Sequence, residues 1–472
     1  MFLTLLPIAF LVGLLSLAVQ LFGADASYGP NQIALVMATG AAALVGIYRG
    51  LTWEELQEGM TLGIRVGLAP ILILLAVGAL IGAWIIAGTV PAMIYYGVAL
   101  LDPSIFYAAC AAICALASIS IGSSWTVAGT LGIGFIGISN SYGLSPAMTA
   151  GAIISGAYFG DKLSPLSDTT NLAAACAGVD LFAHIRHMLW TTVPAFAIAV
   201  TFFALNSSEG ARAPEDIALL RASLDAQFDV GPHVLLPMLG MLGLIALRVP
   251  AYPAILISAL IGCLFAGIFQ ADAVRQLALA SHPDSAAPVL QGLWIALFDG
   301  YTGTTADTAL NDLLSKGGMA SMLNTVWLIV TALGFGGVLE RTGILKSLLD
   351  WALRHVKSTG DLILATITGG VVTNVLAADQ FLAIALPGRL FTLAYDERGL
   401  NRLNLSRTLE DSATLTSVLV PWNTCGAYMA ATLGVATLDY LPYAVFNFVC
   451  PLIAIVFGYL LIAQKPLAAN PA

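Results

Sequence analysis

Charge is scarce in this chain. Only 10% of its 472 residues are Asp, Glu, Lys or Arg, whereas 59% are hydrophobic, and the mean hydropathy is +0.90. A water-soluble core of this length does not need so much apolar surface, so the composition indicates a protein built for lipid. Basic runs with interleaved aromatic residues are also absent, which argues against nucleic acid as a partner.

Motifs of metalloenzymes and intramembrane enzymes are missing as well. There is no His-Glu-x-x-His sequence, and Gly160-Asp161 lacks a second matching aspartate motif, so we do not expect an enzyme. The six cysteines lie in or beside apolar stretches. Cys110 and Cys114 share a helix face without histidine or carboxylate neighbours, so we expect a buried structural role for this pair and not a metal site, and we expect no cofactor. The first apolar run lacks a positively charged region before it, which predicts a retained helix and not a cleaved signal.

What the chain has instead is a series of long apolar stretches. A helix needs about 20 apolar residues to cross the hydrocarbon core, and several stretches approach that length. The sequence therefore predicts an all-α polytopic membrane protein with about 10–12 transmembrane helices. The stretches are residues 2–22, 33–48, 68–90, 105–121, 189–205, 234–247, 255–269, 322–339, 362–376 and 440–462.

A polar segment divides the chain into two membrane halves. We assign residues 1–206 to the first half, 207–231 to a hydrophilic linker and 232–472 to the second half. Within the halves, an offset of 255 residues aligns Gly88 with Gly343 and Asp168 with Asn423, which predicts a repeat between residues 68–206 and 322–464.

Loop charges predict how the two copies are oriented. Residues 341–357 and 396–407 contain seven Lys and Arg residues, whereas their counterparts 89–102 and 139–145 contain none. Positively charged loops stay in the cytoplasm, so equivalent loops should face opposite sides of the membrane. Two inverted repeats with broken or re-entrant helices are the architecture of many secondary transporters, whose substrate site lies near the bilayer midplane.

Each copy contains one polar cluster that interrupts an apolar run. The first is Ser155-Gly-Ala-Tyr-Phe-Gly-Asp-Lys-Leu-Ser-Pro-Leu-Ser-Asp-Thr-Thr-Asn171, and the second runs from Glu410 to Val420-Pro-Trp-Asn-Thr-Cys-Gly426. Pro165 and Pro421 should end their helices, because proline lacks a backbone donor and clashes with the preceding turn. Freed carbonyl oxygens beside hydroxyl, amide and carboxylate groups would suit Na⁺, and unpaired backbone at membrane depth is tolerated only where it lines a site.

The carboxylates of these clusters allow different interpretations. Asp161 and Asp168 are seven residues apart and could face one cavity, or Asp161 and Lys162 could form a solvated pair at the membrane surface. Glu410 and Asp411 could bind ions or could only cap a helix that starts near Ser412.

Two further acids lie outside the clusters. Asp379 has apolar neighbours and few exits to water, and its counterpart region contains the polar residues Ser124 and Trp125. For Glu340 an interfacial ion pair with Arg341 is favoured over a buried proton carrier.

These motifs resemble the NhaC family of sodium/proton antiporters. The resemblance is carried by Gly122-Ser-Ser-Trp-Thr126, by the long motif ending at Asn171, by Lys316-Gly-Gly-Met319 and by the second cluster, and it covers most of the chain from about Leu68 to Tyr459. It implies an inverted-repeat carrier of the cell (inner) membrane that moves Na⁺ against H⁺. The family also includes carriers of small organic acids and amino acids.

Two functions follow. The first is Na⁺/H⁺ exchange at a carboxylate that binds either ion, with Asp168 as the leading candidate because it is the acid at a repeated helix break. The second is Na⁺-coupled transport or exchange of an organic acid or amino acid, for which Arg389 could hold a carboxylate if it pointed into a cavity.

The lipid bilayer, Na⁺ and H⁺ are the expected partners, and the sequence leaves a homodimer open. The candidate ion-binding or substrate-binding residues are Ser124, Trp125, Asp161, Ser167, Asp168, Thr169, Thr170, Asn171, Asp379, Asp411, Asn423 and Thr424, with Asp168, Thr169, Asn423 and Thr424 as the expected Na⁺ ligands.

Overall fold

The computed structural model describes residues 2–22, 26, 29–207, 214–303, 311 and 314–467. Over these residues the regular structure is helical, apart from one isolated antiparallel bridge between Leu400 and Pro466. In the first half the α-helices are Phe2–Phe22, Pro30–Tyr48, Trp53–Val66, Leu68–Ile86, Thr89–Leu100, Phe106–Ile121, Ser124–Val127, Ile133–Tyr142, Pro146–Leu163, Asp168–Ala177 and Leu181–Leu205. Those that follow are Pro214–Gln227, Leu236–Ala246, Ala251–Phe269, Ala271–Ser281, Pro288–Phe298, Leu323–Arg341, Ile344–Leu353, Thr359–Ala377, Gln380–Glu397, Arg402–Leu409, Leu415–Ser417, Thr424–Leu433, Thr437–Tyr440 and Val445–Tyr459. The segments Ala128–Gly132 and Glu410–Thr414 are π-helical.

The all-α polytopic fold class is confirmed. Eight described helices are long and apolar enough to cross a membrane, and two bent helix pairs raise the number of candidate spans to ten. The predicted count of about 10–12 is therefore reached only at its lower end. Other helices, such as Pro146–Leu163, are mostly buried inside the protein and so carry polar residues that a lipid-facing helix could not.

The segment predicted as a linker is partly a folded helix. Residues 208–213 lie outside the described residues, but Pro214–Gln227 is helical, and its apolar residues Leu220 and Leu224 are buried, as is Phe228 just beyond it. A spacing of four residues places these side chains on one face, so the helix can pack although the segment is polar overall. Residues 217–227 and 232–246 form one of the bent pairs, with an angle of 89°.

Left-handed residues recur at the same places in the two halves. Each marks the start or the end of a helix, and all but one are glycine, which adopts positive φ without steric cost. The pairs are Gly88 and Gly343 (φ 79° and 70°), Gly122 and Ala378 (77° and 58°), Gly143 and Gly399 (69° and 65°), and Gly178 and Gly434 (67° and 68°).

These pairs correct the alignment of the repeat. Gly88 and Gly343 are 255 residues apart, but Gly178 and Gly434 are 256 apart. An ungapped alignment is therefore wrong by one residue at the polar clusters: Ser167, not Asp168, is the counterpart of Asn423, and both are N-caps of ten-residue helices. The opposite orientation of the two copies stays a prediction.

The helices Phe106–Ile121 and Pro146–Leu163 pack closely because small residues face each other. A Cβ atom added at Gly156 would lie 2.1 Å from the carbonyl oxygen of Ala111, and one added at Gly160 would lie 2.3 Å from that of Ala115. Spacing of small residues by four lets helix backbones approach closely in a membrane, where no hydrophobic force drives helices together. This contact positions the end of the second helix, which carries Asp161 and Lys162.

We expect Gly156→Val to lower stability by about 2–3 kcal/mol, because the new side chain meets backbone that cannot move aside. The matched control is Gly243→Val, also inside a helix, where an added Cβ meets nothing within 4 Å. Thermal unfolding of the purified proteins in detergent measures both. Equal shifts for the two variants would contradict the packing argument.

Candidate functional site

Both polar clusters contain the predicted helix break. The Pro146–Leu163 helix ends two residues before Pro165, and the helical stretch that closes with Leu415–Ser417 ends before Pro421. New helices begin at Asp168 and Thr424, capped by the Ser167 hydroxyl and the Asn423 amide oxygen, which accept backbone N–H donors. Proline thus ends each helix where the sequence predicted.

Asp161 is a buried carboxylate held by serine. Its Oδ2 accepts hydrogen bonds from the backbone N–H of Ser124 at 3.1 Å and from the Ser124 hydroxyl at 2.7 Å. The residue is only 6% exposed, so the predicted alternative of a solvated Asp161–Lys162 pair is wrong. Ser124 begins a short helix, and the positive end of a helix favours an anion there.

Lys162 forms an ion pair with Asp411 across the two halves. Its ammonium donates to Asp411 Oδ1, and both side chains are completely buried. The Thr191 hydroxyl donates to the same oxygen at 3.0 Å, and Cys450 Sγ lies 3.3 Å from it. A buried ion pair gains little net stability because both charges lose their hydration, so its presence calls for another explanation.

Glu410 lies next to this pair without a cation of its own. It is fully buried, and neither carboxylate oxygen accepts a hydrogen bond of standard geometry from a described residue. The interpretation of Glu410 and Asp411 as helix caps is wrong, because the helix begins at Arg402 and continues through both residues as a π-helical segment. Such π-helical turns occur often at functional sites, since they widen the backbone and redirect side chains.

Arg407 is a second buried cation in this region. One of its Nη atoms donates to the carbonyl of Ala463 at 2.9 Å, while Nε and Nη2 have no described partner. Arg407 precedes Asp411 by four residues and therefore lies on the same side of the helix. The chain has thus placed three carboxylates and two cations in one water-poor region.

The residues around the first helix break, at Pro165, differ in their exposure. Ser167, Thr169 and Thr170 are buried, whereas Asp168 and Asn171 are exposed. The Thr170 hydroxyl donates towards the carbonyl of Lys162 at 3.2 Å, which ties the new helix to the end of the old one. Of the two candidate aspartates, Asp161 is thus the one shielded from water.

The second break is built from amides. Asn423 Nδ2 lies 3.2 Å from the carbonyl oxygen of Asn374 and 3.1 Å from its Oδ1, and the Thr424 N–H donates to the carbonyl of Ala378 at 2.9 Å. Asp379 comes directly after Ala378 and caps the Gln380–Glu397 helix. Its Oδ1 accepts a hydrogen bond from the Leu382 N–H at 2.8 Å, while its Oδ2 has no described partner.

The two breaks have different neighbours. The Asp168–Ala177 helix packs against Gln380–Glu397 and Arg402–Leu409, whereas Thr424–Leu433 packs against Ala128–Gly132, Leu323–Arg341 and Leu68–Ile86. The proximity of Asp168, Thr169, Asn423 and Thr424 therefore stays a prediction. A direct link between the halves comes from Trp125, which is half-buried and stacks on Tyr428 with ring centroids 4.1 Å apart.

Two cavities lie at opposite ends of the Leu323–Arg341 helix, which spans about 28 Å at 1.5 Å per residue. One, of about 510 Å³, is lined by the start of this helix together with Lys316 and Thr437. The other, of about 860 Å³, is lined by its end and by Asp379. Asp161, Glu410 and Asp411 are buried and line neither cavity.

Two basic residues singled out in the sequence prove to be peripheral. Arg389 is exposed, so the condition under which it would support an organic-anion site is not met. Arg341 pairs with Glu55 and Glu58, each at 3.4 Å, and not with Glu340.

The sequence was compared with those of known protein families. The model of the Na⁺/H⁺ antiporter family matches residues 156–461. The chain belongs to the Na⁺/H⁺ antiporter family. This match includes both polar clusters and the Lys162–Asp411 pair, and it identifies the chain as a multi-pass membrane transport protein.

Curated relatives of this antiporter-family chain extend over nearly its whole length. It is 39% identical over 433 residues to the Na⁺/H⁺ antiporter NhaC of Alkalihalophilus pseudofirmus, covering 91% of this chain and 90% of the relative. It is 38% identical over 434 residues to the malate-2H⁺/Na⁺-lactate antiporter of Bacillus subtilis (91% and 89%), and 35% identical over 461 residues to the arginine/ornithine antiporter ArcD of Halobacterium salinarum (96% and 91%). The predicted resemblance to NhaC is confirmed.

Sequence reasoning missed part of the buried charge cluster in this antiporter-family chain. Lys162 entered only as the partner of Asp161 in the alternative of a solvated surface pair, and Arg407 was placed in a loop predicted to be cytoplasmic. The spacing of Arg407 and Asp411 by four residues was an available signal. No such signal in the sequence indicated that Lys162 pairs with Asp411, because 249 residues separate them.

We expect Asn423→Asp to destabilise the protein by about 1–3 kcal/mol, because aspartate keeps the helix cap but places an acceptor against the two oxygens of Asn374. Asn401→Asp is the control: Asn401 also caps a helix through its Oδ1, which accepts from Leu403 N–H at 3.0 Å. Thermal unfolding should show a large loss for the first variant and little for the second. Comparable stability of both would show that the Asn374 contact contributes little.

Proposed function

We propose that this protein exchanges Na⁺ for H⁺ across the cytoplasmic membrane. The observation that carries the proposal is the buried cluster of Asp161, Glu410 and Asp411, of which only Asp411 forms an ion pair with a described residue. An ionised carboxylate inside a membrane costs at least a few kcal/mol unless a partner neutralises it. A bound Na⁺ or a bound proton would each supply that neutralisation.

Glu410 is the best candidate for the group that carries the proton. Asp161 already accepts two hydrogen bonds from Ser124, and Asp411 accepts from Lys162 and Thr191, but neither oxygen of Glu410 accepts a hydrogen bond of standard geometry from a described residue. Glu410 is ionised when the cluster holds Na⁺ and neutral when it is protonated, so occupation of the cluster by one ion excludes the other. This mutual exclusion couples the two fluxes.

The cavities support alternating access to this cluster. They lie at opposite ends of the Leu323–Arg341 helix, and the residues of the cluster line neither of them. Rocking of one inverted repeat against the other would connect the cluster to one cavity at a time. All residues of the cluster belong to one chain, so the proposed exchange needs no residue of a second copy.

We expect Glu410→Gln to reduce Na⁺-driven proton movement by about tenfold or more, because glutamine keeps the shape but cannot be protonated or carry charge. The matched control is Asp168→Asn, the same carboxylate-to-amide change at an exposed acid. Dye-monitored proton flux in proteoliposomes with an imposed Na⁺ gradient measures both. Full activity of Glu410→Gln with loss in Asp168→Asn would return the coupling role to Asp168, the residue favoured by sequence.

A second function deserves a direct test because two relatives are named as antiporters of malate and lactate or of arginine and ornithine. Arg389 does not support it, but Arg407 is buried and has two nitrogen atoms without described partners. A guanidinium in this state could bind a carboxylate in a bidentate manner.

We expect Na⁺-driven proton flux to proceed without added organic solute. The same proteoliposomes are assayed with malate, lactate, arginine or ornithine inside, with Arg407→Lys as the variant that keeps charge but loses bidentate geometry. A flux that requires one of these solutes, and that falls in Arg407→Lys, would favour organic-solute exchange over simple Na⁺/H⁺ exchange.

A further inference from the structure

The ion pair between Lys162 and Asp411 lies where both charges have lost their hydration. Both side chains are completely buried, and they come from helices 249 residues apart in sequence. Replacing such a pair by apolar residues is often neutral or stabilising, because desolvation offsets most of the attraction between the charges. A role in fold stability therefore does not explain the pair.

Lys162 faces two carboxylates but can neutralise only one. The Lys162 ammonium donates a hydrogen bond directly to Asp411. Glu410, the residue before Asp411, also interacts with the ammonium electrostatically. Asp411 Oδ2 and both oxygens of Glu410 have no described hydrogen-bond partner. The oxygen atoms of the cluster thus outnumber the donors available to them.

The other groups around Lys162 do not compete for its charge. His184 and Cys450 face it, and Cys450 Sγ lies 3.4 Å from its Nζ. A thiol is a weak acceptor, and an imidazole of the same region offers no negative charge. Among the described residues whose charge acts on Lys162, Glu410 is the carboxylate other than Asp411, so it is the anion to which the ammonium can move.

We propose that Lys162 is a tethered competitor of the transported cation, whose ammonium occupies Asp411 when no Na⁺ is bound and moves to Glu410 when Na⁺ takes its place. This inference rests on the proposed function, and it assigns Lys162 the task of setting Na⁺ affinity. Lysine suits this role because its ammonium is a compact charge on a flexible four-carbon stem. The Thr191 hydroxyl remains as an oxygen ligand beside Asp411 after the exchange.

The test compares Lys162→Met with Lys162→Arg. Methionine keeps much of the volume and removes the competing charge, so Na⁺ should bind about tenfold more tightly or better than in the wild type. Arginine keeps a cation on Asp411 and should bind Na⁺ no more tightly than the wild type. Equilibrium binding of radioactive Na⁺ to purified protein at alkaline pH measures the three affinities.

A fixed structural counter-ion predicts the opposite order, with arginine tolerated and methionine damaging. Weaker or unchanged Na⁺ binding in Lys162→Met would therefore overturn the proposal. Because Na⁺ replaces the missing charge, the Lys162→Met protein should also be stabilised against heat by NaCl more than by choline chloride. A variant that fails to fold even in NaCl would overturn the proposal as well.

Measurements on the wild-type protein distinguish a failure of this inference from a failure of the proposed function on which it rests. A wild-type protein that neither binds Na⁺ nor moves protons in response to it would refute Na⁺/H⁺ exchange itself. Wild-type exchange combined with no gain in affinity for Lys162→Met would refute only the role of the lysine.

Discussion

Charge enclosed away from water is the constraint on which the rest of this structure depends. A chain that contains few charged residues has buried Asp161, Glu410, Asp411, Lys162 and Arg407 inside the protein, where each costs free energy unless it finds a partner. The partners come from both halves of the chain, so neither half can satisfy its charges alone. The halves must therefore fold together.

Helix breaks and close helix packing provide the positions for these charges. Helices end before Pro165 and Pro421 inside the protein, and the caps Ser167 and Asn423 accept hydrogen bonds from the first backbone N–H groups of the helices that follow. Gly156 and Gly160 allow two helices to approach until their backbones touch, which sets the depth of Asp161 and Lys162. A π-helical turn then presents Glu410 and Asp411 to the same region.

The correspondence between the halves is closest in backbone geometry and weaker in chemistry. Residues in the left-handed conformation end or begin helices at matching positions of the two halves. When the halves are aligned by these residues, Asp161 is matched by Ser417 and Asp411 by Ser155. The acids thus lie at different positions in the two halves. This asymmetry gives a cluster with unequal groups, in which one carboxylate is already paired and another is free.

The sequence by itself determined the fold class, the family and the helix breaks. Apolar stretches and prolines act through local physics, namely transfer into lipid and the missing backbone donor, and these can be inferred without knowing the neighbours. Only the tertiary structure decided which acids are enclosed. Asp168 and Asp161 look alike in sequence, but one begins a helix at an exposed position and the other faces Ser124. Burial and pairing depend on helices that are hundreds of residues apart, as Lys162 and Asp411 are, and a single sequence carries no local signal of such contacts.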